Sequence, residues 1–277
     1  MIDWILGDRF QPLANFTYAP VNKALHDYAS YPNTLNLDLL RDGDIIYTQG
    51  FHDYKKELLR IIDGSKRVVL VSHNCDEGID DSYVLPDNVI RWYAQNVNVV
   101  NPRIEALPTG MQNDRHFPEL RKKEKIEKKL EEKKNLRNLV YIDHRIWTHP
   151  DARLKPYELL SGKPWATLKS DADNVPFDEY MDNVYNHKFV ISPRGNGMQT
   201  HRPWEALHLG CIPIEIMSIN NSFFTELPIC FVNDWEEVTE DFLNSEYERI
   251  RNRTWKMEML TFEYWKNRIK ESAKKVL

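Results

Sequence analysis

The stretch FVISPRGNGMQTHRPWEALHLGCIPI, residues 189–214, reads as strand, glycine loop, helix, glycine stop and strand. Phe189-Val190-Ile191 has no polar face, as a strand covered by helices on both sides of its sheet requires. Pro203 belongs in a first helical turn, where its missing N–H is not needed. Gly210 is placed as a C-terminal stop, so the helix spans about two turns. A strand, a loop at its carboxyl end, a helix and a second strand are the grammar of parallel α/β structure.

The same grammar extends in both directions. Upstream, Asn138 to Asp143 is a strand, Arg153 to Leu160 is a helix ended by Ser161-Gly162, and Trp165 to Leu168 is a further strand. In the first half, Asp44 to Thr48 is a short β-branched run and Tyr54 to Ile62 is amphipathic up to Asp63-Gly64. Lys66 to Ser72 is a near-continuous apolar strand, and Val89–Ala94, Val97–Val100 and Ile104–Gly110 continue the series. From Tyr247 to Leu277 the pattern is helical, with Trp255, Met259, Phe262, Trp265 and Ile269 recurring at three and four. A chain of 277 residues is long for one core, and two domains are expected.

Between the halves lies Arg121 to Arg137, RKKEKIEKKLEEKKNLR, with nine Lys or Arg against four Glu. It reads as a solvated helix joining two domains, the alternative being a docking patch for an acidic partner.

Charge and cysteines exclude several classes. The net charge is -5 and the pI near 6.0, which removes a general affinity for nucleic acid or anionic membrane. Cys75, Cys211 and Cys230 are odd in number and show no CxxC spacing, so a reducing compartment is expected. The first residues carry no basic segment leading into a long apolar run, and Val68 to Val71 is the longest aliphatic run. A protein without a signal peptide or membrane span is expected to be soluble and cytoplasmic.

The chemistry is expected at the glycine loop. Ser192, Arg194, Gly195, Asn196 and Gly197 let backbone amides approach a ligand closely. Arg194, His201, Arg202 and the positive end of the helix suit a diphosphate. Glu205 in the first helical turn is placed to accept from ribose hydroxyls. The competing reading is a tight turn with Glu205 as a helix cap. Arg145 and Arg153, flanking the strand end of the segment IDHRIWTHPDAR, are placed to reach a phosphate, against a surface role paired with Asp143 or Asp151.

In the first half, VLVSHNCDE, residues 69–77, carries an apolar strand into a polar cluster at its carboxyl end, where ligands of open α/β sheets bind. Asp76 is the first choice for a general base and His73 the second. Against this, Asp76 with Asp80 and Asp81 caps a turn, and His73 orients a neighbour. Asp42-Gly43-Asp44 and Asp171-Ala172-Asp173 have the Asp-x-Asp spacing of a metal and diphosphate site, but both read as turns. His144 with His149, and His201 with His208, lack a third ligand at metal spacing, so no metal site is expected.

The segment from Ser192 to Ile214, followed by Leu227-Pro228-Ile229 and Asn233-Asp234-Trp235, resembles the donor-binding half of exostosin-like glycosyltransferases. Within them it looks closest to compact transferases of large algal viruses (chloroviruses), some of which move xylose. Ser72-His73-Asn74-x-Asp76 and Leu107-Pro108-Thr109-Gly110 extend the likeness thinly into the first half. The resemblance implies a GT-B architecture, two Rossmann-like α/β domains facing across a cleft. Residues 1–120 would form the acceptor domain, 121–137 a charged linker helix and 138–258 the nucleotide-sugar domain. Residues 259–277 would form a last helix returning to the first domain. It further implies transfer of a sugar, xylose favoured, from a UDP-sugar to a hydroxyl of a glycan acceptor, inverting through a general base and requiring no cofactor or metal. A carbohydrate-binding protein that kept the fold and lost catalysis is the alternative. The oligomeric state is left open.

Overall fold

A computed structural model describes residues 2–19, 31–116, 118–169 and 175–276. The Asp171-Ala172-Asp173 motif lies outside the described residues. The chain divides into two compact units, one of Trp4–Thr109 with Thr261–Leu277, the other of Met1–Asp3 with Gly110–Leu260.

The first unit holds a five-stranded sheet of β1 (Phe16–Tyr18), β2 (Ile45–Gln49), β3 (Val68–His73), β4 (Val89–Gln95) and β5 (Ile104–Leu107). All neighbours are parallel and lie in chain order, β1-β2-β3-β4-β5. Helix α1 (His52–Ile62) connects β2 to β3. Every residue of β2 and β3 is buried, which is why neither shows the alternation of a half-exposed strand.

The expected strand at Val97–Val100 is absent. Val97 makes an isolated bridge with Ile79 in place of a strand, because Asn96 takes a left-handed conformation (φ 61°) and turns the chain away from the sheet.

The helix expected over Tyr247–Leu277 is two helices, α6 (Glu240–Arg251) and α7 (Phe262–Lys274), with Thr239 and Thr261 accepting hydrogen bonds as their N-caps. They belong to different units. Helix α7 packs on β3 and β4 and buries Trp265 and Ile269. Its polar side joins the same sheet: Tyr93 Oη donates to Arg268 O at 3.1 Å, and Arg268 Nε donates to Glu105 Oε1 at 2.7 Å.

The second unit contains α2 (Lys122–Lys129), β6 (Asn138–Ile142), α3 (Pro150–Leu160), β7 (Ala166–Leu168), α4 (Phe177–Tyr185), β8 (His187–Ile191), α5 (Arg202–His208), β9 (Ile212–Ile216) and β10 (Cys230–Val232). Its sheet is also parallel, but the order is β10-β9-β8-β6-β7. From β6 the chain runs outward to β7, then returns to β8 on the other side of β6 and proceeds outward again. Strand order therefore reverses between β6 and β8. One face of the sheet carries Val140, Ile142, Phe189, Ile191, Ile212 and Ile214 into a core with Leu160, Leu243 and Ile250. The alternate residues, Tyr141, Val190 and Glu215, fall on the opposite face, the side of α4 and α5.

The charged stretch differs from expectation. Only Lys122–Lys129 is helical, and that helix is no free linker: Ile126 is fully buried and α2 packs on α4. Lys129 and Arg137 both pair with Asp182 of α4, at 3.1 and 2.6 Å. Leu130 and Leu136, too few to form a stripe, stay exposed, so nothing extends the helix beyond the first apolar anchor. Among the described residues no helix is long and apolar enough to cross a membrane.

Candidate active site

The reversal between β6 and β8 opens a crevice at the carboxyl ends of these strands, the place where open α/β sheets hold ligands. Two loops flank it. After β6 come Asp143, His144 and Arg145; after β8 comes the glycine loop, Ser192 to His201.

Arg153 of α3 joins the two loops. Its Nε donates to Arg194 O at 2.8 Å and its Nη1 to Arg145 O at 2.9 Å, and the residue is buried. A Cβ on Gly195 would stand 3.1 Å from Arg153 Nη2 and 3.3 Å from Thr200 Cγ2, so glycine lets the loop settle on this guanidinium. Arg153 is thus a support beneath the site, fixing loops that carry Arg145 and Arg194. Arg194 curls back on its own loop, donating from Nη2 to Asn196 O at 3.0 Å. The Arg145 guanidinium lies 6.0 Å from the centre of the exposed Trp147 ring. Ser192 is buried at the strand end, Asn196 is exposed at the loop tip, and His201 donates from Nδ1 to Gly110 O at 2.8 Å.

Helix α5 brings Arg202 and Glu205 to the other side of the loop. Glu205 is buried, with Lys122 Nζ at 3.0 Å from Oε1 and Tyr180 Oη donating to Oε2 at 3.0 Å. Burial alone would raise its carboxyl; the Lys122 and His201 charges and the two hydrogen bonds outweigh it and hold the group below its ordinary value. Each carboxylate oxygen has a second acceptor position. Arg202 lies 5.6 Å from the Tyr180 ring centre, and its Nε is a buried donor with no partner among the described residues.

His144, buried beside them, donates from Nε2 to Arg153 O at 2.9 Å, and its Nδ1 is a buried acceptor without a partner among the described residues. Burial first, and the Arg202 charge second, push its pKa down to about 3, so the ring is neutral. Tyr141 Oη donates to Asp143 Oδ2 at 2.9 Å. The crevice thus collects cations, an unpaired guanidinium donor, an unpaired imidazole acceptor and a buried carboxylate, a set suited to an anionic, hydroxyl-rich ligand. Tyr180, Lys122, Asp143 and His144 were not singled out in the sequence as members of this site. Lys122 lies in the charged stretch and Asp143 and His144 in the segment that holds Arg145 and Arg153, whereas nothing near Tyr180 distinguishes it.

The two base candidates sit in the first unit, at the end of β3. His73 is buried, stacks on Phe10 with ring centres 5.0 Å apart, accepts from the Asn74 N–H at Nδ1 (2.8 Å) and reaches Pro108 O from Nε2 at 3.0 Å. The tautomer that satisfies both partners carries its proton on Nε2. Asn74 has φ 62°, and its Nδ2 donates to Asp8 Oδ1 at 2.9 Å. Asp76, two residues on, is exposed, and its carboxylate makes no hydrogen bond or ion pair among the described residues. Asp42 and Asp44 cap a turn, accepting from the backbone N–H groups of Arg67 and Arg41 at 2.8 and 2.7 Å. Among the described residues no group of three His, Cys, Asp or Glu is placed to hold a metal ion.

No protein-family model matches the chain. Exostosin-1b of Danio rerio is 34% identical over 79 residues, and Exostosin-1a of the same fish 33% identical over the same length. Each match covers 27% of this chain and 10% of the relative, so the likeness spans only about a tenth of the length of those proteins. Among solved structures, a UDP-forming α,α-trehalose-phosphate synthase from Burkholderia xenovorans is similar with a TM-score of 0.47 at 11% identity, over 86% of this chain and 75% of that one. A pneumococcal O-GlcNAc transferase, GtfA, solved with UDP and GlcNAc, gives 0.31 at 11% identity, over 86% and 55%.

Proposed function

We propose that the protein is a glycosyltransferase that moves a sugar from a UDP-sugar, UDP-xylose being the first candidate, to a hydroxyl of a glycan acceptor. The observation that carries this reading is the reversal of strand order between β6 and β8, with the Arg145 and Arg194 loops at its mouth and Arg202 and Glu205 beside them. The short likeness to exostosins supports it.

In the proposed reaction Arg145, Arg194 and Arg202 hold the diphosphate, and the remaining acceptor positions of Glu205 take the ribose hydroxyls. The Asp76 carboxylate takes the acceptor hydroxyl proton as that oxygen attacks the anomeric carbon. The bond from that carbon to the phosphate oxygen breaks, and UDP leaves with the bonding pair, its growing charge offset by the arginines. The product is inverted at the anomeric centre. The cations are all side chains of this chain, so no metal or cofactor is required. Arg153 acts by holding the loops, and His73 by fixing the end of β3.

A thermal-shift panel of sugar nucleotides tests the reading. A donor at 100 times its dissociation constant adds about 2.7 kcal/mol of stability. A shift with UDP-sugars, followed by sugar transfer to a glycan, supports the assignment; a panel without a single shift overturns it.

A further inference from the structure

We propose that Lys55 and Asn96 form a clamp that positions Asp76 for proton abstraction, an inference that rests on the reading of Asp76 as general base. Lys55 lies on the same helical stripe as Leu58, Leu59 and Ile62, where an aliphatic residue would be expected, and is 1% exposed. A buried lysine is costly unless its ammonium is satisfied. Among the described residues no carboxylate pairs with it. Its Nζ instead donates to Glu77 O and Gly78 O, both at 2.9 Å, and lies 5.2 Å from the Tyr83 ring centre.

Asn96 grips the preceding two residues. Its Nδ2 donates to Cys75 O at 3.0 Å and to Asp76 O at 3.2 Å. To reach them it holds φ 61°, a conformation that is costly for a residue other than glycine and persists when its surroundings impose it. Its own carbonyl accepts from the Ile79 N–H at 2.8 Å, and a Cβ on Gly78 would come within 2.7 Å of that oxygen. Four successive carbonyls, Cys75 to Gly78, are therefore held by two side chains, one from the helix and one from the end of β4.

A surface turn has no need of this, because water satisfies exposed carbonyls at no cost in buried charge. The restraint makes sense for what the loop presents: the Asp76 carboxylate, exposed and unpaired among the described residues, on a backbone fixed from both flanks. General-base catalysis depends on such placement, since a misplacement of about 1 Å costs on the order of 100-fold in rate.

The clamp is also pH-dependent. Burial lowers the Lys55 pKa to about 8, with Cys75, Glu77 and Asp80 of the loop acting in the opposite direction and Lys56 of its own helix adding to the depression. Above that pH the ammonium becomes an amine and its two hydrogen bonds lose their charge assistance.

The test compares Lys55→Met and Asn96→Gly with Asp76→Asn in the full chain, measuring kcat by sugar transfer and UDP affinity by calorimetry. Glycine keeps the left-handed backbone at 96 and deletes the amide grip, so this variant reports even where Lys55→Met folds poorly. Each is expected to lower kcat about 10-fold or more with UDP affinity within about two-fold of the wild type. The wild-type kcat is expected to fall above pH 8, and in Lys55→Arg, charged at every working pH, that fall is expected to vanish relative to the variant's own maximum. Full kcat in Asn96→Gly beside an inactive Asp76→Asn overturns the clamp alone. Full kcat in Asp76→Asn overturns the base, and the clamp with it.

Discussion

Lys122 Nζ lies 3.0 Å from Glu205 Oε1, tying the first turn of the charged helix to the helix that follows the glycine loop, across 83 residues of sequence. With Tyr180 on the other oxygen, Glu205 is a buried anion whose every visible partner is polar. Removing one partner leaves the rest of a buried network uncompensated, which costs more than the net worth of the bond.

Glu205→Ala is expected to weaken UDP binding by roughly 1 to 3 kcal/mol, the cost of leaving buried ribose hydroxyls without their acceptor. Calorimetry checks it, and unchanged affinity would remove the ribose role. In a double-mutant cycle with Lys122→Met, the two stability losses should fail to add by roughly 0.5 to 3 kcal/mol, as for groups in one network.

Asp76→Asn preserves size and polarity and deletes the proton acceptor. Turnover is expected to drop about 100-fold or more while UDP affinity is unchanged, since the residues proposed to hold the donor belong to the other unit. His73→Ala is expected to act chiefly on melting temperature, because the ring bridges Asn74 N and Pro108 O and stacks on Phe10. A His73→Ala enzyme that is stable yet inactive, beside an active Asp76→Asn, would reverse the two roles.

Glu215 offers a pH-dependent test of the second unit. It is 4% exposed on β9, its Oε2 has no partner among the described residues, and burial raises its pKa from 4.5 to about 8. The folded protein keeps it protonated while the unfolded chain ionises it above pH 4.5, so its contribution to stability is full below that pH and is lost as pH rises through about 8. Glu215→Gln mimics the protonated acid. Its melting temperature relative to wild type should therefore rise from pH 5 to pH 8.5, and a gap independent of pH would show that Glu215 is ionised when folded.

Sugar transfer is expected to survive a chelator if, as proposed, arginines hold the diphosphate. Loss of activity in EDTA, restored by manganese, would return attention to Asp171 and Asp173.

The strands that decide the fold are visible in the sequence because each is a run of apolar residues ended by a turn: Val68 to Val71 and Phe189 to Ile191 are buried throughout, and local composition suffices. The glycine loop and its flanking cations are legible for the same reason, being contiguous. What local pattern does not hold is which distant groups meet. Arg153 reads as a phosphate contact or as a surface arginine beside Asp143 or Asp151, yet it donates to carbonyls at 145 and 194. The charged stretch reads as solvated, yet Ile126 anchors it and Lys122 reaches Glu205. The stripe from Trp255 to Ile269 keeps helical spacing across a break, because Trp255 and Trp265 serve cores of different units.

Helix α7 completes a sheet whose strands precede it by more than 150 residues, Tyr93 Oη meeting Arg268 O at a separation of 175. On the ribosome the β3 and β4 face it covers is made early and closed late. All of Gly110–Leu260 is translated in between, a wait of roughly 8 to 30 s at typical elongation rates. The middle of the chain is thus able to reach its final packing before the beginning does. The interval exposes the apolar seat of Trp265 and Ile269 to any chaperone, or any neighbouring nascent chain, that arrives first.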